Sequence, residues 1–175
     1  MYEMKERRML RKFRMIRYYL VNRFAHKTHM LRTYLPKGQF HEMHDRVLHA
    51  SFEALVDWIE IECAHHKKSW SKDGVPWWYR FKLNQRDPKA GLEYLNWCVN
   101  LRFDPDYGGV VSKQSSSAEA AIELYLWWKT ERPSRTDPYS QNVPYESMDA
   151  MEKTHLKDDQ YHLCRLARLL DSLWL

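Results

Sequence analysis

The clearest pattern of apolar and polar positions lies in residues 40–66. Apolar residues recur there at three- and four-residue steps, namely Leu48, Phe52, Leu55, Val56, Ile59 and Cys63. This spacing places them on one face of a helix. Polar positions lie between them and are expected to form the opposite, polar face: Arg46, Glu53, Asp57 and Glu60. The pattern predicts an amphipathic helix over about 40–66.

Similar patterns mark both ends of the chain. In residues 2–25 the apolar positions at helical spacing are Met9, Phe13, Ile16, Leu20 and Phe24. In residues 145–174 they are Met148, Met151, Leu163, Leu166, Leu170 and Leu173. Each set shares one helix face, so a helix is predicted in both stretches, with its apolar face packed.

Capping signals predict two more helices in the middle of the chain. Asp87 before Pro88 is typical of an N-cap followed by proline at the first helical position. Ser116 and Glu119 have the spacing of a capping box and predict a helix that continues to Trp128. Residues 103–114 and 131–144 are rich in turn-forming residues and are expected to be loops. The alternation in residues 75–83 favours either a short strand or an extended aromatic loop.

These elements predict an all-α fold: one domain over residues 1–175, an irregular bundle of about five helices with two long aromatic-containing loops. One short β-strand pair remains an alternative for 75–83. The central and C-terminal helices, with the strongest stripes, are expected to pack together in the middle. Cys63, Cys98 and Cys164 are odd in number and lie among apolar residues, which indicates free thiols in a reducing compartment. No apolar run approaches the roughly 20 residues of a membrane span, so a cytoplasmic protein without a membrane partner is expected.

The net charge of +5 is concentrated near the N-terminus. A local positive field suits an anionic partner, either nucleic acid, a nucleotide or an acidic protein surface. The predicted binding residues of this segment are Arg7, Arg11, Arg14, Arg17 and the stacking side chain of Tyr18. The alternative is a solvated face that pairs with Glu53, Asp57 and Glu60 of the central helix.

Tryptophans beside arginines form a second candidate surface. The tryptophans are Trp70, Trp77, Trp78, Trp127 and Trp128, and the arginines are Arg80, Arg132 and Arg135. Exposed aromatic rings bind protein partners or stack on bases, while arginine holds phosphate. The alternative is that the rings cover the helical core, and this is favoured for Trp77 and Trp127.

Ionisable residues on the apolar stripes form a third candidate site. On the C-terminal helix, His155, Asp159 and His162 share one face, and Asp45 extends the central stripe. Carboxylate and imidazole groups suit a divalent transition metal, for which Glu62 or Glu152 is the candidate base. No cofactor is otherwise indicated. The alternative is a set of structural hydrogen bonds and ion pairs, which is the more frequent role of such residues.

Two segments, Leu48–Asp57 (LHASFEALVD) and Trp127–Pro138 (WWKTERPSRTDP), resemble small uncharacterised proteins of tailed bacteriophages. The resemblance implies a viral protein acting in a bacterial cytoplasm, and it implies no activity or catalytic residue.

The function expected from these features is non-catalytic capture of an anionic partner by the basic helix and aromatic loops, for example in phage host takeover or anti-defence. One alternative is a metal-dependent phosphohydrolase with its site between the central and C-terminal helices. Another is a virion or assembly component. The sequence leaves the ligand and the oligomeric state open.

Overall fold

The structure is a computed structural model that describes residues 12–16, 19–20, 23, 31–70, 85–103, 106, 113–139 and 144–172. One domain was predicted, but contacts divide the chain into two compact units, Met1–Arg32 and Thr33–Leu175. In the first unit, residues 12–16 (α1) are helical, as are 19–20. The remainder of the predicted helix over 2–25 lies outside the described residues, apart from Arg23.

In the residues that the structure describes, the second unit has four long helices. The central helix, α2, consists of an α-helix Met43–Asp57, a π-helical segment Trp58–Cys63 and an α-helix Ala64–Ser69. Helix α3 spans Pro88–Asn100 and ends in a 3-10 turn, Leu101–Phe103. Helix α4 spans Lys113–Leu126, followed by a π-helical segment Trp127–Glu131 and a 3-10 turn Arg132–Ser134. Helix α5 spans Tyr145–Leu169 and ends in a 3-10 turn, Leu170–Ser172.

The all-α prediction is confirmed, and the described part of the chain contains no strand. The stretch 75–83, for which a strand pair was an alternative, lies outside the described residues. The Asp87 cap is confirmed, because its carboxylate accepts a hydrogen bond from the Ala90 N–H. The Ser116 capping box is wrong: α4 is already helical at Lys113, and the Ser116 hydroxyl donates to the Lys113 carbonyl from inside the first turn.

The core of the second unit forms where α2, α3 and α4 meet. All six residues of the predicted α2 stripe are buried. A close crossing of α2 and α3 depends on Gly91, since a Cβ at that position would overlap the Ile59 carbonyl oxygen. Glycine therefore allows the two backbones to approach each other at the π-helical segment.

Helix α5 is less central than the sequence suggested. It contacts both α2 and α4, but its buried apolar residues are Leu166 and Leu169, near its C-terminal end. The predicted pairing of α2 and α5 in the middle of the bundle is thus replaced by a core of α2, α3 and α4. Through residue 158, no described side chain of α5 is buried.

Candidate functional site

The basic N-terminal segment is described in part. Ten Lys or Arg against two Glu give residues 1–32 a net charge of +8, whereas eighteen against twenty-one give residues 33–175 a net charge of −3. Lys12 and Arg14 are exposed, and neither forms an ion pair with a residue that the structure describes. The predicted binding residues Arg7, Arg11, Arg17 and Tyr18 lie outside the described residues. The excess positive charge of the protein therefore belongs to the first unit.

The apolar stripe predicted in residues 2–25 was expected to pack, but its described members are exposed. Relative exposure is 69% for Phe13, 56% for Ile16 and 47% for Leu20, and Met15 and Tyr19 are also exposed. Single exposed apolar side chains are common, whereas several on one short segment indicate an interaction surface.

The two arginines of the predicted aromatic loop are engaged with α5. Arg132 donates to both carboxylate oxygens of Asp159, at 3.1–3.3 Å. Arg135 donates to Asp159 at 2.5 Å and also pairs with Asp158. Two carboxylates thus neutralise two guanidinium groups, and this arrangement ties the end of α4 to α5.

The neighbouring tryptophans are covered by these same arginines. Trp127 is 3% and Trp128 7% exposed. The Arg132 guanidinium lies 4.9 Å from the Trp128 ring, and Arg135 lies 5.2 Å from the Trp127 ring. Trp127 also stacks on His162 at 3.9 Å between ring centroids. The prediction that Trp127 covers the core is confirmed, and the same holds for Trp128.

The predicted metal ligands lie in different surroundings. Asp159 is buried against the two arginines, and the Nδ1 atom of His162 lies 2.9 Å from the Asp158 carbonyl oxygen. His155 is half-buried, and Asp45 lies 3.5 Å from His44. No group of three or more His, Cys, Asp or Glu suited to a metal occurs among the described residues.

The two candidate bases are both exposed. Glu152 accepts a hydrogen bond from the Tyr139 hydroxyl at 3.3 Å. Glu62 lies on the exposed side of the π-helical segment of α2. Neither carboxylate occupies a buried cleft of the kind that tunes a catalytic base.

His49, which no sequence pattern indicated, interacts electrostatically with two of the candidate ligands, Asp45 and Asp159. Burial and Arg132 lower the pKa of His49, and they outweigh Asp45 and Asp159, which raise it. Both carboxylates therefore act on one half-buried imidazole. The Arg132 guanidinium therefore acts against protonation of this imidazole, in the same direction as burial.

Among the described residues, the most deeply buried charged group is Glu60, which was predicted to lie on the polar face of the central helix. Its side chain is 2% exposed and accepts hydrogen bonds from Tyr125 at 2.8 Å and Arg86 at 2.8 Å. Lys129 lies at 3.2 Å from the same carboxylate. Glu60 and Lys129 belong to the two π-helical segments, which therefore meet at this carboxylate. The sequence signal for helical periodicity could not locate Glu60, because a π-helical turn rotates the residues away from the 3.6-residue period.

The protonation of Glu60 follows from competing effects. Burial raises its pKa, but hydrogen bonds from Tyr125, Arg86 and Lys129 outweigh burial and lower the pKa below the ordinary value. Arg86 also pairs with Asp57. The acidic face of α2 is thus satisfied by partners within the second unit, and Glu60 is held as a carboxylate.

One aromatic patch remains open to solvent. Trp70, at the end of α2, is 49% exposed, and Trp97 of α3 is 41% exposed. Their rings meet edge to face at 4.7 Å, and the Lys67 ammonium lies 4.9 Å from the Trp70 ring. Of the predicted tryptophans, Trp70 therefore remains available to a partner, while Trp77, Trp78 and Arg80 lie outside the described residues.

No described helix is long and apolar enough to cross a membrane. In the comparisons with known proteins, no family model, curated protein or solved structure matches this chain.

Proposed function

We propose that the protein is a non-catalytic binding protein that captures an anionic partner through its basic N-terminal segment. The observation that carries the proposal is the separation of charge, with +8 in residues 1–32 and −3 in the rest of the chain. A concentrated positive field accelerates and strengthens association with an anion.

The arginines of the second unit also favour anion binding by the first unit rather than the second. Its half-buried Arg132 and Arg135 are already neutralised, since they pair with Asp158 and Asp159. The proposed partner therefore meets the first unit through charge. The Trp70–Trp97 patch is the best placed aromatic surface of the second unit for a further contact, because indole rings contribute strongly to interfaces.

The proposal is tested by binding of a labelled oligothymidine strand of about 20 nucleotides, a simple polyanion longer than most single-strand sites. Affinity is measured by fluorescence anisotropy over a series of salt concentrations. Replacing Arg11, Arg14 and Arg17 by Ala is expected to lower the slope of log affinity against log salt by about 2, since each phosphate contact on a single strand contributes about 0.7.

The matched control removes the same charge from the second unit. Lys89, Lys157 and Arg168 are exposed, and their replacement by Ala should leave the slope unchanged. Equal losses in both triple variants would show that net charge alone attracts the strand, and would contradict a role for the N-terminal segment.

The hydrolase alternative would place a metal on Asp45, His155, Asp159 and His162, the residues predicted to bind one. Its test is elemental analysis of the purified, untagged protein after incubation with Mn, Zn or Fe. A stoichiometric metal that is lost in Asp159→Asn would favour it.

We also propose, from the phage resemblance, that the partner belongs to a bacterial host. Co-purification of the chain with phage particles would instead favour the assembly role.

A further inference from the structure

Two guanidinium groups converge on the carboxylate of Asp159. Arg132 donates to both of its oxygens through Nε and Nη2, and Arg135 donates to one of them at 2.5 Å. Arg135 also pairs with Asp158. Two arginines that share one oxyanion through several N–H donors form the arrangement with which proteins hold phosphate groups as well as carboxylates. Asp159 therefore occupies a position that suits an external anion.

A planar ring follows about one turn later on the same helix. The His162 imidazole stacks on the indole of Trp127, with 3.9 Å between ring centroids and an interplanar angle of 10°. The Arg135 guanidinium lies 5.2 Å from the same indole. A flat ring stacked in parallel on tryptophan reproduces the contact that a nucleobase makes with an aromatic side chain. His162 therefore occupies a position that suits a base.

The two sides of this contact come from different elements. Trp127, Arg132 and Arg135 belong to the continuous stretch 127–135 at the end of α4 and are here called the arginine–tryptophan surface. The carboxylates and the imidazole all belong to α5. The end of α4 thus supplies cations and a stacking ring, and α5 supplies two anions and a planar ring. This division matches a protein surface that binds a strand of nucleotides through its phosphates and bases.

The part of α5 that precedes this contact is weakly attached. In residues 145–158 no described side chain is buried, and the buried apolar residues of the helix, Leu166 and Leu169, lie near its other end. Segments with few buried apolar contacts open at a lower free energy than the core of a domain. This half of α5 is therefore able to open while the core of α2, α3 and α4 stays folded.

We propose that α5 is an autoinhibitory cover that imitates a nucleotide strand. Asp158 and Asp159 hold the places of phosphates and His162 holds the place of a base, so the arginine–tryptophan surface binds single-stranded nucleic acid only when α5 opens. This goes beyond the proposed function, because it adds a second binding surface, in the second unit, to the basic segment of the first. An acidic peptide fits less well, since its carboxylates would satisfy the arginines but would place no ring on Trp127.

The first test asks whether the two carboxylates hold α5 closed. Hydrogen exchange of the full chain is compared between the wild type and the double variant Asp158→Asn, Asp159→Asn. Amides of residues 145–158 are expected to exchange at least about tenfold faster in the variant, because lost charge-assisted hydrogen bonds lower the free energy of local opening. Amides of residues 48–56 in α2 should keep their protection, which shows that the core remains folded. Unchanged exchange in residues 145–158 would contradict the cover.

The second test measures binding of the labelled oligothymidine strand to the same double variant. Its affinity should exceed that of the wild type at least about fivefold, because one stacked base alone contributes that much. Its salt slope should be steeper by about 1.4, since two new phosphate contacts contribute about 0.7 each. His162→Ala, which uncovers the ring but keeps both ion pairs, should give a smaller gain. Adding Arg132→Gln and Arg135→Gln to the double variant should remove its gain.

The matched control is Asp149→Asn with Glu152→Gln, which removes two negative charges from the exposed side of the same helix. It should bind the strand like the wild type. An equal gain in the control would show that net charge alone attracts the strand. An equal gain of the double variant for a labelled oligoglutamate would show that no base is recognised. Either result overturns the inference.

These outcomes separate the inference from the proposed function. If the wild type binds the strand and the double variant shows no gain, the cover is overturned and the proposed function stands. If only the double variant binds, the inference stands and the basic N-terminal segment is not the site of capture. If neither binds, both are overturned.

Discussion

Helices α1 and α2 present the same apolar spacing with opposite outcomes. Phe52 and Ile59 of α2 are 0% exposed, whereas Phe13 and Ile16 of α1 are more than half exposed. Periodicity identifies which residues share a face, but burial depends on a complementary surface elsewhere in the chain. The comparison teaches that an amphipathic pattern predicts an interface without saying which molecule supplies the other side.

The flanks of the two stripes differ as well. The carboxylates beside the α2 stripe have partners in the same unit, with Arg86 on Asp57 and Glu60. The flanks of α1 carry cations, and Lys12 and Arg14 have no ion pair with a described residue. The apolar stripe of α2 and the carboxylates of Asp57 and Glu60 therefore all have partners within the second unit.

The largest expected effect comes from truncating one phenylalanine in each stripe. Phe52→Ala should lower the free energy of unfolding by about 3–5 kcal/mol, because it leaves a cavity among Trp127, Trp128 and their neighbours. Phe13→Ala should change it by less than about 0.5 kcal/mol, as expected for an exposed position. Urea denaturation measures both, and similar losses in the two variants would refute the contrast.

The next largest loss of stability is expected at Gly91, where α3 crosses α2. Gly91→Ala should destabilise by about 3 kcal/mol, since the added Cβ meets the Ile59 carbonyl oxygen, which is backbone and cannot rotate away. Gly38→Ala is the control: its Cβ meets open space, and only the left-handed φ of 86° opposes it, at about 1 kcal/mol. Thermal unfolding of both variants should show this order.

The third largest destabilisation is expected from neutralising the buried carboxylate of Glu60 in α2. Glu60→Gln is expected to cost about 2–3 kcal/mol, because Arg86 and Lys129 lose their charged partner while remaining partly exposed. Glu62→Gln, two residues away on the exposed side, should cost less than about 1 kcal/mol. An equal effect would mean that the Glu60 hydrogen bonds contribute no more than a surface charge.

A smaller effect is expected where α5 joins the bundle. Asp159→Asn should cost about 2 kcal/mol, since Arg132 and Arg135 each lose a charge-assisted hydrogen bond. Asp149→Asn is a matched control on the same helix, where the carboxylate pairs with Lys153 at the exposed surface. If Asp159→Asn is instead stabilising, the cluster opposes folding, which would be consistent with a site kept for binding.

The smallest effect is a pH dependence. The pKa of Glu60 is lower in the folded chain than its ordinary value of 4.5, so the unfolded state binds more protons at acidic pH. The stabilisation from Glu60 is therefore complete above about pH 4.5 to 5.5 and is lost as the pH falls through the folded pKa. Glu60→Gln should flatten this acid limb of stability measured by urea denaturation. An unchanged acid limb would exclude Glu60 as its source.

Local sequence signals predicted the helices well and the polar contacts poorly. The α2 stripe and the Asp87 cap were predictable because each depends on residues a few positions apart. The predicted start of α4 was wrong, because Ser116 and Glu119 have the spacing of a capping box but lie inside a helix that is already formed at Lys113. Glu60 escaped detection because its three partners lie 26 to 69 residues away in the chain, and only Lys129 belongs to the second π-helical segment.

The helical class, the residues that line the α2 core and the excess of positive charge in the first 32 residues follow from spacing and composition, which act locally. The ion pairs of Glu60 and Asp159 and the burial of Trp127 and Trp128 follow only from the folded arrangement. The same is true of the exposure of Phe13 and Ile16. Each of these depends on distant residues meeting, because burial and charge pairing are properties of assembled surfaces.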